Sequence, residues 1–120
     1  MARKLLVIDD DPVFLKMLGW RLSTELDCQV TVAKRPLEAL RILERDSFDL
    51  VISDVKLPEM SGYELARSIH NKIPEQDLIL MSGYFLDPVA YESCGAQRFL
   101  EKPFDVGCLN RYFSLFLTKN

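Results

Sequence analysis

Short apolar runs that stop abruptly at polar side chains recur along this chain and limit the folds it can adopt. Three of these runs stop at Asp9, Asp54 and Ser82. A strand buried on both faces shows no polar alternation, so such runs are typical of the inner strands of a parallel sheet. With two further segments, the predicted strands occupy residues 5–8, 30–33, 50–53, 78–81 and 98–101.

Helix signals fill the intervals between these predicted strands. Asp11 is a good N-cap ahead of Pro12, which suits the first helical turn, and residues 87–88 repeat the pair. Ser61 and Glu64 have the spacing of a capping box. The predicted helices begin at Pro12, Pro36, Gly62, Pro88 and Val106, and the first, third and fourth end before Asp27, near His70 and at Gly95.

The first and last predicted helices carry apolar stripes of different width. The stripe on the first helix comprises Val13, Phe14, Met17, Leu18 and Leu22. The stripe on the last helix, which Asp105 is expected to cap, comprises Val106, Leu109, Tyr112, Phe113, Phe116 and Leu117. The last stripe is broader than core packing requires, which favours a role in binding another protein.

Strands that alternate with helices through short connections predict a doubly wound α/β domain. In such a sheet the functional site lies beyond the carboxyl ends of the strands, where strand order reverses. The polar residues expected at that edge are Asp9, Asp10, Asp54, Ser82 and Lys102. We expect residues 1–120 to form one domain, because this length suits a single core and no internal linker is evident.

The carboxylates of Asp9, Asp10 and Asp11 repel one another unless a cation or a cap offsets their charge. Asp11 has a helix to cap, whereas Asp9 and Asp10 do not. Such oxygen ligands suit Mg²⁺, although a solvated acidic turn has the same sequence, and Asp54 alone is compatible with an ordinary turn. Beside a metal and the cation of Lys102, Asp54 is a candidate nucleophile that forms an aspartyl-phosphate.

Four motifs at matching strand ends resemble those of response-regulator receiver domains. They are VIDDDP at 7–12, Asp54 with LPEMSG at 57–62, MSG at 81–83 and KPF at 102–104. The resemblance covers essentially the whole chain and implies a flavodoxin-like, five-stranded parallel sheet in the order 2-1-3-4-5. It also implies a switch of two-component signalling that catalyses only its own phosphorylation and dephosphorylation.

The resemblance assigns roles around the metal. Asp54 is the implied phosphoacceptor and a metal ligand, and Asp10 is a direct Mg²⁺ ligand. Asp9 is implied to act mostly through water, and the backbone carbonyl of Lys56 is the third protein ligand. Lys56 and Tyr84 also stand where the family tunes phosphate lifetime.

The resemblance also assigns roles in the conformational change that follows phosphorylation. The Ser82 hydroxyl is implied to bond a phosphoryl oxygen, and Lys102 to contact the acid or its phosphate. The Lys102–Pro103 bond is implied to be cis. Phe99 stands where the family places a rotating aromatic, although an ordinary core Phe fits as well. Gly83 replaces the commoner Ala and leaves a more open path beside Ser82.

Partners follow partly from the resemblance and partly from charge. The implied phosphoryl donor is a histidine kinase or a histidine phosphotransfer protein. Trp20 is a candidate docking residue for this donor, although an ordinary amphipathic surface Trp fits at least as well. The implied output face comprises residues 86–117. A net charge of −3 offers no basic surface for nucleic acid, and no apolar run nears the roughly 20 residues of a membrane helix. We therefore expect a cytoplasmic protein without direct nucleic-acid or membrane contacts.

Two other functions fit parts of the pattern. Residues 5–13 match the Asp-x-Asp motif of haloacid-dehalogenase phosphatases, with Asp9 as the nucleophile and Asp11 as the acid/base, but Asp54 and residues 57–62 then have no explanation. A phosphorylation-independent pseudo-receiver is the other alternative, although every expected site position is filled. The sequence identifies neither the kinase nor the output partner. Ordinary structural roles are expected for His70, Cys28, Cys94 and Cys108.

Overall fold

The computed structural model describes residues 3–83, 86–102, 104 and 106–112, which form five strands and five helices. The strands are β1 (Arg3–Ile8), β2 (Cys28–Ala33), β3 (Leu50–Asp54), β4 (Leu78–Ser82) and β5 (Arg98–Glu101). The helices are α1 (Pro12–Glu25), α2 (Pro36–Arg45), α3 (Gly62–Lys72), α4 (Pro88–Cys94) and α5 (Val106–Tyr112). Some predicted features lie outside the described residues, namely those at Tyr84, Pro103, Asp105, Phe113, Phe116 and Leu117.

The sheet has the predicted topology. All strand pairs are parallel, and the order is β2-β1-β3-β4-β5. The strand order reverses at β1 and β3, which lie side by side with Val7 next to Ile52. Chain connections leave these two strands toward opposite faces of the sheet and open a crevice at their carboxyl ends. The predicted polar residues fall at this crevice.

The inner strands are buried on both faces, as their apolar runs predict. Alternate residues of a strand point to opposite sides of the sheet, so the core divides into two layers. One layer packs on α1 and α5 through residues such as Leu15 and Leu109. The other packs on α2, α3 and α4 through Ala39, Leu65 and Cys94.

Helix α1 buries a narrower stripe than its sequence pattern predicts. Val13 and Met17 are 75% and 53% exposed, whereas Leu15, Leu18 and Leu22 are buried. Apolar residues recur at helical spacing on two sides of this helix, and spacing alone does not tell which side the sheet covers. Val13 and Met17 therefore belong to an uncovered face of α1.

Helix ends follow the predicted capping residues. The side chains of Asp11 and Asp87 accept hydrogen bonds from backbone N–H groups of the first turns of α1 and α4. Ser61 and Glu64 form both hydrogen bonds of a capping box. Gly95 ends α4 with a φ of 91°, a left-handed conformation that other residues adopt at a cost. None of the described helices is long and apolar enough to cross a membrane.

Candidate active site

Backbone hydrogen bonds extend the sheet beyond its carboxyl edge and hold the first loop residues in place. The N–H of Asp9 donates to the carbonyl of Ala33 at 3.1 Å, and that of Lys102 donates to the carbonyl of Ser82 at 2.8 Å. Asp54 is itself the last residue of β3. The side chains of these polar residues therefore project from one rigid edge.

Three carboxylates converge at this edge. Asp9 and Asp54 are only 1% and 8% exposed, while Asp10 is exposed. One oxygen of each acid lies within 4.8 Å of the others. Negative charges at this distance repel strongly where burial limits solvation, and a divalent cation offsets the repulsion. The donor set fits Mg²⁺, which prefers hard oxygen ligands.

Lys102 places a positive charge beside the two buried acids. Its Nζ donates to Oδ2 of Asp9 at 2.5 Å and lies 3.5 Å from Oδ2 of Asp54. The other oxygen of Asp9 accepts the backbone N–H of Asp11 at 2.9 Å. Asp9 is thus bonded through both of its carboxylate oxygens.

The pKa of the Asp54 carboxyl is raised above its ordinary value, mainly by burial and then by the charge of Asp9. Lys102 and a hydrogen bond from the backbone of Lys56 act in the opposite direction without cancelling this effect. The ionised form of Asp54 is therefore costly in the folded chain until a cation offsets the negative charge of the cluster.

The loop after β3 passes close to Asp54 because Gly62 has no side chain. The Gly62 N–H donates to the carbonyl of Val55 at 2.7 Å. A Cβ at this glycine would lie 2.2 Å from the carbonyl oxygen of Asp54, well inside van der Waals contact. In the same loop, Glu59 has a φ of 74° and forms an ion pair with Arg35 at 3.0 Å. Gly62 thus lets α3 begin directly against the backbone of Asp54.

The other predicted site residues surround the acids. Ser82 is buried at the end of β4. One open cavity is lined by Asp9, Asp10, Asp11, Asp54, Lys56, Gly83 and Lys102. A Cβ added to Gly83 would have no described atom within 4 Å. Gly83 therefore leaves the cavity open near Ser82, as its sequence position predicts.

Phe99, the predicted rotating aromatic, is half-buried on β5 and packs against the layer that contains α4. Its ring lies edge-on to that of Tyr91, with the centroids 6.4 Å apart. On β4, the neighbour of Phe99 is Leu80, two residues before Ser82. Phe99 is thus a packed aromatic between the inner sheet and α4.

His70 connects α3 to the elements beside it. Its Nδ1 lies 3.3 Å from the carbonyl oxygen of Cys94, and its Nε2 lies 2.8 Å from that of Gln76. Gly95 packs so closely on the imidazole that a Cβ there would lie 2.2 Å from Nδ1. These contacts are structural, in keeping with the ordinary role expected for this histidine.

Phe14 is a site residue that the sequence pattern does not distinguish. The Nζ of Lys102 lies 4.2 Å from the centroid of the Phe14 ring. A Phe near the start of an amphipathic helix is indistinguishable in sequence from any other core residue. Only the fold, which brings residue 14 against residue 102, reveals this contact.

The uncovered face of α1 forms a shallow apolar groove. The groove is lined by Pro12, Val13, Lys16, Met17 and Trp20. Trp20 is 65% exposed, which is unusual for so large an apolar side chain. A contiguous apolar surface on the helix that begins directly after the acids is typical of a contact surface for another protein.

Comparisons with known proteins agree with this fold. The response regulator receiver domain model matches residues 5–113. The transcriptional regulatory protein GlrR of Escherichia coli (strain K12) is 41% identical over 107 residues, covering 88% of this chain and 24% of GlrR. A receiver domain protein (CheY-like) from Methanospirillum hungatei superposes with a TM-score of 0.89 at 28% identity, covering 98% of this chain and 94% of that one.

A third relative is the response regulator TrrA of Thermotoga maritima, solved in complex with Mg(2+)-BeF. It superposes with a TM-score of 0.85 at 28% identity, over 94% of this chain and 97% of that chain. Matches of this extent define the class of protein. This chain belongs to the response regulator receiver domain family, and it is a signalling switch of the two-component type.

Membership of this family also bears on the functions considered from sequence. The dehalogenase-like and pseudo-receiver alternatives are not favoured. In the former, Asp11 would be the acid/base, yet its side chain accepts the N–H groups of Val13 and Phe14 as the cap of α1. The chain spans about a quarter of the length of these curated relatives.

Proposed function

We propose that Asp54 is the residue that accepts the phosphoryl group. The observation that carries this proposal is the position of Asp54, whose carboxylate lies beside Asp9, Asp10 and Lys102 and lines the open cavity. Asp9 is already bonded through both oxygens, and Asp11 caps a helix. Asp54 is therefore the buried acid best placed to act as a nucleophile.

The reaction requires a carboxylate, a phosphoryl donor and positive charge. An oxygen of Asp54 forms a bond to phosphorus while the bond from phosphorus to a histidine nitrogen of the donor breaks, and that nitrogen keeps the electron pair. The product is an acyl phosphate on Asp54. The Lys102 ammonium stabilises the charge on the transferring oxygens, and the Ser82 hydroxyl donates to a phosphoryl oxygen of the product.

The acids are proposed to hold Mg²⁺ during this transfer. We assign direct ligands to Asp10, Asp54 and the backbone carbonyl of Lys56, with Asp9 acting mostly through water. When bound, Mg²⁺ supplies positive charge that offsets the phosphoryl oxygens. The close spacing of the three carboxylates supports this assignment, and the related TrrA was solved with Mg(2+)-BeF.

Receiver domains of response regulators act between histidine kinases and output domains. For this chain the proposed donor is a histidine kinase or a histidine phosphotransfer protein that docks on the uncovered face of α1. Val13, Met17 and Trp20 expose apolar surface there at helical spacing, on the helix that begins directly after Asp11. A donor bound to this face would bring its histidine next to the open cavity.

Output is proposed to occur through the face formed by residues 86–117, of which 86–102, 104 and 106–112 are described. Phosphate on Asp54 would draw the Ser82 hydroxyl inward and leave space into which Phe99 turns. The contact of Phe99 with Tyr91 would then change the surface of α4. Phosphorylation shifts such an equilibrium by its different affinity for the two conformations.

Intact-mass measurement tests the proposed phosphorylation. Incubation with acetyl phosphate and Mg²⁺ is expected to add about 80 Da, the mass of one phosphoryl group replacing hydrogen. Asp54→Asn and the wild type in EDTA are expected to show no gain. A gain that persists in Asp54→Asn but disappears in Asp9→Asn would contradict the proposal and support a dehalogenase-like nucleophile.

A further inference from the structure

The ring of Phe14 is a third contact of the Lys102 ammonium, besides the two buried acids. The Nζ lies 4.2 Å from the ring centroid of Phe14, 2.5 Å from Oδ2 of Asp9 and 3.5 Å from Oδ2 of Asp54. A cation within about 6 Å of a ring centroid is attracted to the ring when it lies over the face. The ammonium is therefore held between two carboxylates and one aromatic ring.

Phe14 is itself fixed by the fold. Its backbone N–H donates to the side chain of Asp11 at 3.3 Å, within the cap of α1. Its ring packs edge-on against Phe104, with centroids 6.4 Å apart and an interplanar angle of 71°. Phe14 is half-buried against the core layer of α1 and α5. The ring therefore offers Lys102 a surface whose position is set by two different segments.

An aromatic ring suits this position better than another acid. A third carboxylate would hold Lys102 but would add negative charge where a phosphoryl group must approach. The ring attracts the ammonium through its quadrupole, carries no formal charge and displaces water from one side of the cation. Lysine is a flexible and strongly hydrated point charge, so a fixed ring restricts where that charge lies.

The ring also permits a small movement. The Nζ is closer to Asp9 than to Asp54, so any movement toward a phosphoryl group on Asp54 is a shift away from Asp9. A second hydrogen bond in place of the ring would add to the opposition that the bond to Asp9 already makes to that shift, whereas attraction to a ring face depends less on direction. We propose that Phe14 is a positioning residue that keeps the Lys102 ammonium within reach of that phosphoryl group. This inference rests on the proposed role of Asp54.

Two variants of Phe14 separate its ring from its bulk. Phe14→Leu removes the aromatic ring but keeps an apolar side chain, whereas Phe14→Tyr keeps the ring and its bulk. We expect Phe14→Leu to lower the initial rate of phosphorylation by acetyl phosphate and Mg²⁺ roughly three- to tenfold, with Phe14→Tyr close to the wild type. Leu18→Val, at a buried position of the same helix, is the control for lost packing and is expected to leave the rate unchanged.

A double-mutant cycle and a spectroscopic measurement separate positioning from packing. In a Lys102→Met background, Phe14→Leu is expected to cause no further loss of rate. Without phosphate, the Lys102 Hε protons should show a ring-current shift that Phe14→Leu abolishes and Phe14→Tyr retains. The inference is overturned if Phe14→Leu phosphorylates as fast as the wild type, or slows the Lys102→Met variant by the same factor. A wild type that is never phosphorylated would instead overturn the role of Asp54 and this inference with it.

Discussion

The ionisation state of the Asp54 carboxyl affects both the stability of the fold and the proposed function. Burial and Asp9 raise its pKa in the folded chain. A carboxyl with a raised folded pKa stabilises the fold when protonated, and this stabilisation is lost as pH rises through that pKa. At neutral pH without metal, ionised Asp54 therefore destabilises the fold, although its contact with Lys102 offsets part of the cost.

Asp54→Asn is accordingly expected to stabilise the metal-free protein at neutral pH. Thermal or urea unfolding in EDTA at pH 7 should show a gain on the order of 1 kcal/mol. The gain should shrink as pH falls through the raised pKa toward the ordinary value of 3.8, because the wild-type carboxyl then becomes protonated and is uncharged like Asn. With Mg²⁺ added, the wild type should gain stability while the variant gains less. An Asn variant less stable than the wild type in EDTA would contradict this electrostatic account.

Two glycines near the site differ in the space available for a side chain and therefore form a matched pair of test positions. Gly62→Ala forces a Cβ against the backbone of Asp54, whereas Gly83→Ala meets open space. We expect Gly62→Ala to cost about 1–3 kcal/mol of stability, as overpacking does, and to slow phosphorylation. Gly83→Ala should stay within about 0.5 kcal/mol of the wild type. Equal effects in urea unfolding would show that the loop moves freely away from Asp54.

Individual elements were predictable to different degrees. The inner strands have no polar alternation, and the helices with Asp–Pro or Ser–Glu signals begin where those residues predict. Helix α1 differs because two of its sides carry apolar residues, so the sequence did not show that Val13 and Met17 face away from the core. What covers a helix depends on its neighbours, which local patterns do not specify.

The proposed output face is also testable. Beryllofluoride with Mg²⁺, which mimics a phosphoryl group, is expected to shift backbone amide resonances of α4, β5 and α5, while those of β2 at the far edge of the sheet stay constant. Phe99→Ala should reduce the shifts on α4, because Phe99 contacts Tyr91 there. Chemical-shift changes confined to Asp9, Asp10 and Asp54 would contradict the proposed output face. Chemical-shift changes that extend equally far in the wild type and in Phe99→Ala would show that Phe99 has only an ordinary packing role.

The topology of the parallel sheet assembles the site from distant parts of the sequence. Lys102 and Asp9 are far apart in sequence, and the parallel sheet brings both to one edge. The polar strand ends were sufficient to predict this group, since parallel strands share an edge. Phe14 was not predictable as a neighbour of Lys102, because its position depends on how α1 packs on the sheet. The single-domain extent, the cytoplasmic location and the partners stay predictions.

The proposed function depends most on which acid carries the phosphoryl group. Borohydride reduction of the phosphorylated chain converts an aspartyl-phosphate to homoserine, and peptide mass spectrometry then locates the converted residue. If Asp54 is the phosphoacceptor, conversion is expected at Asp54 and depends on Mg²⁺ and on prior phosphorylation. Conversion at Asp9 or Asp10, with Asp54 unchanged, would contradict the proposed role of Asp54.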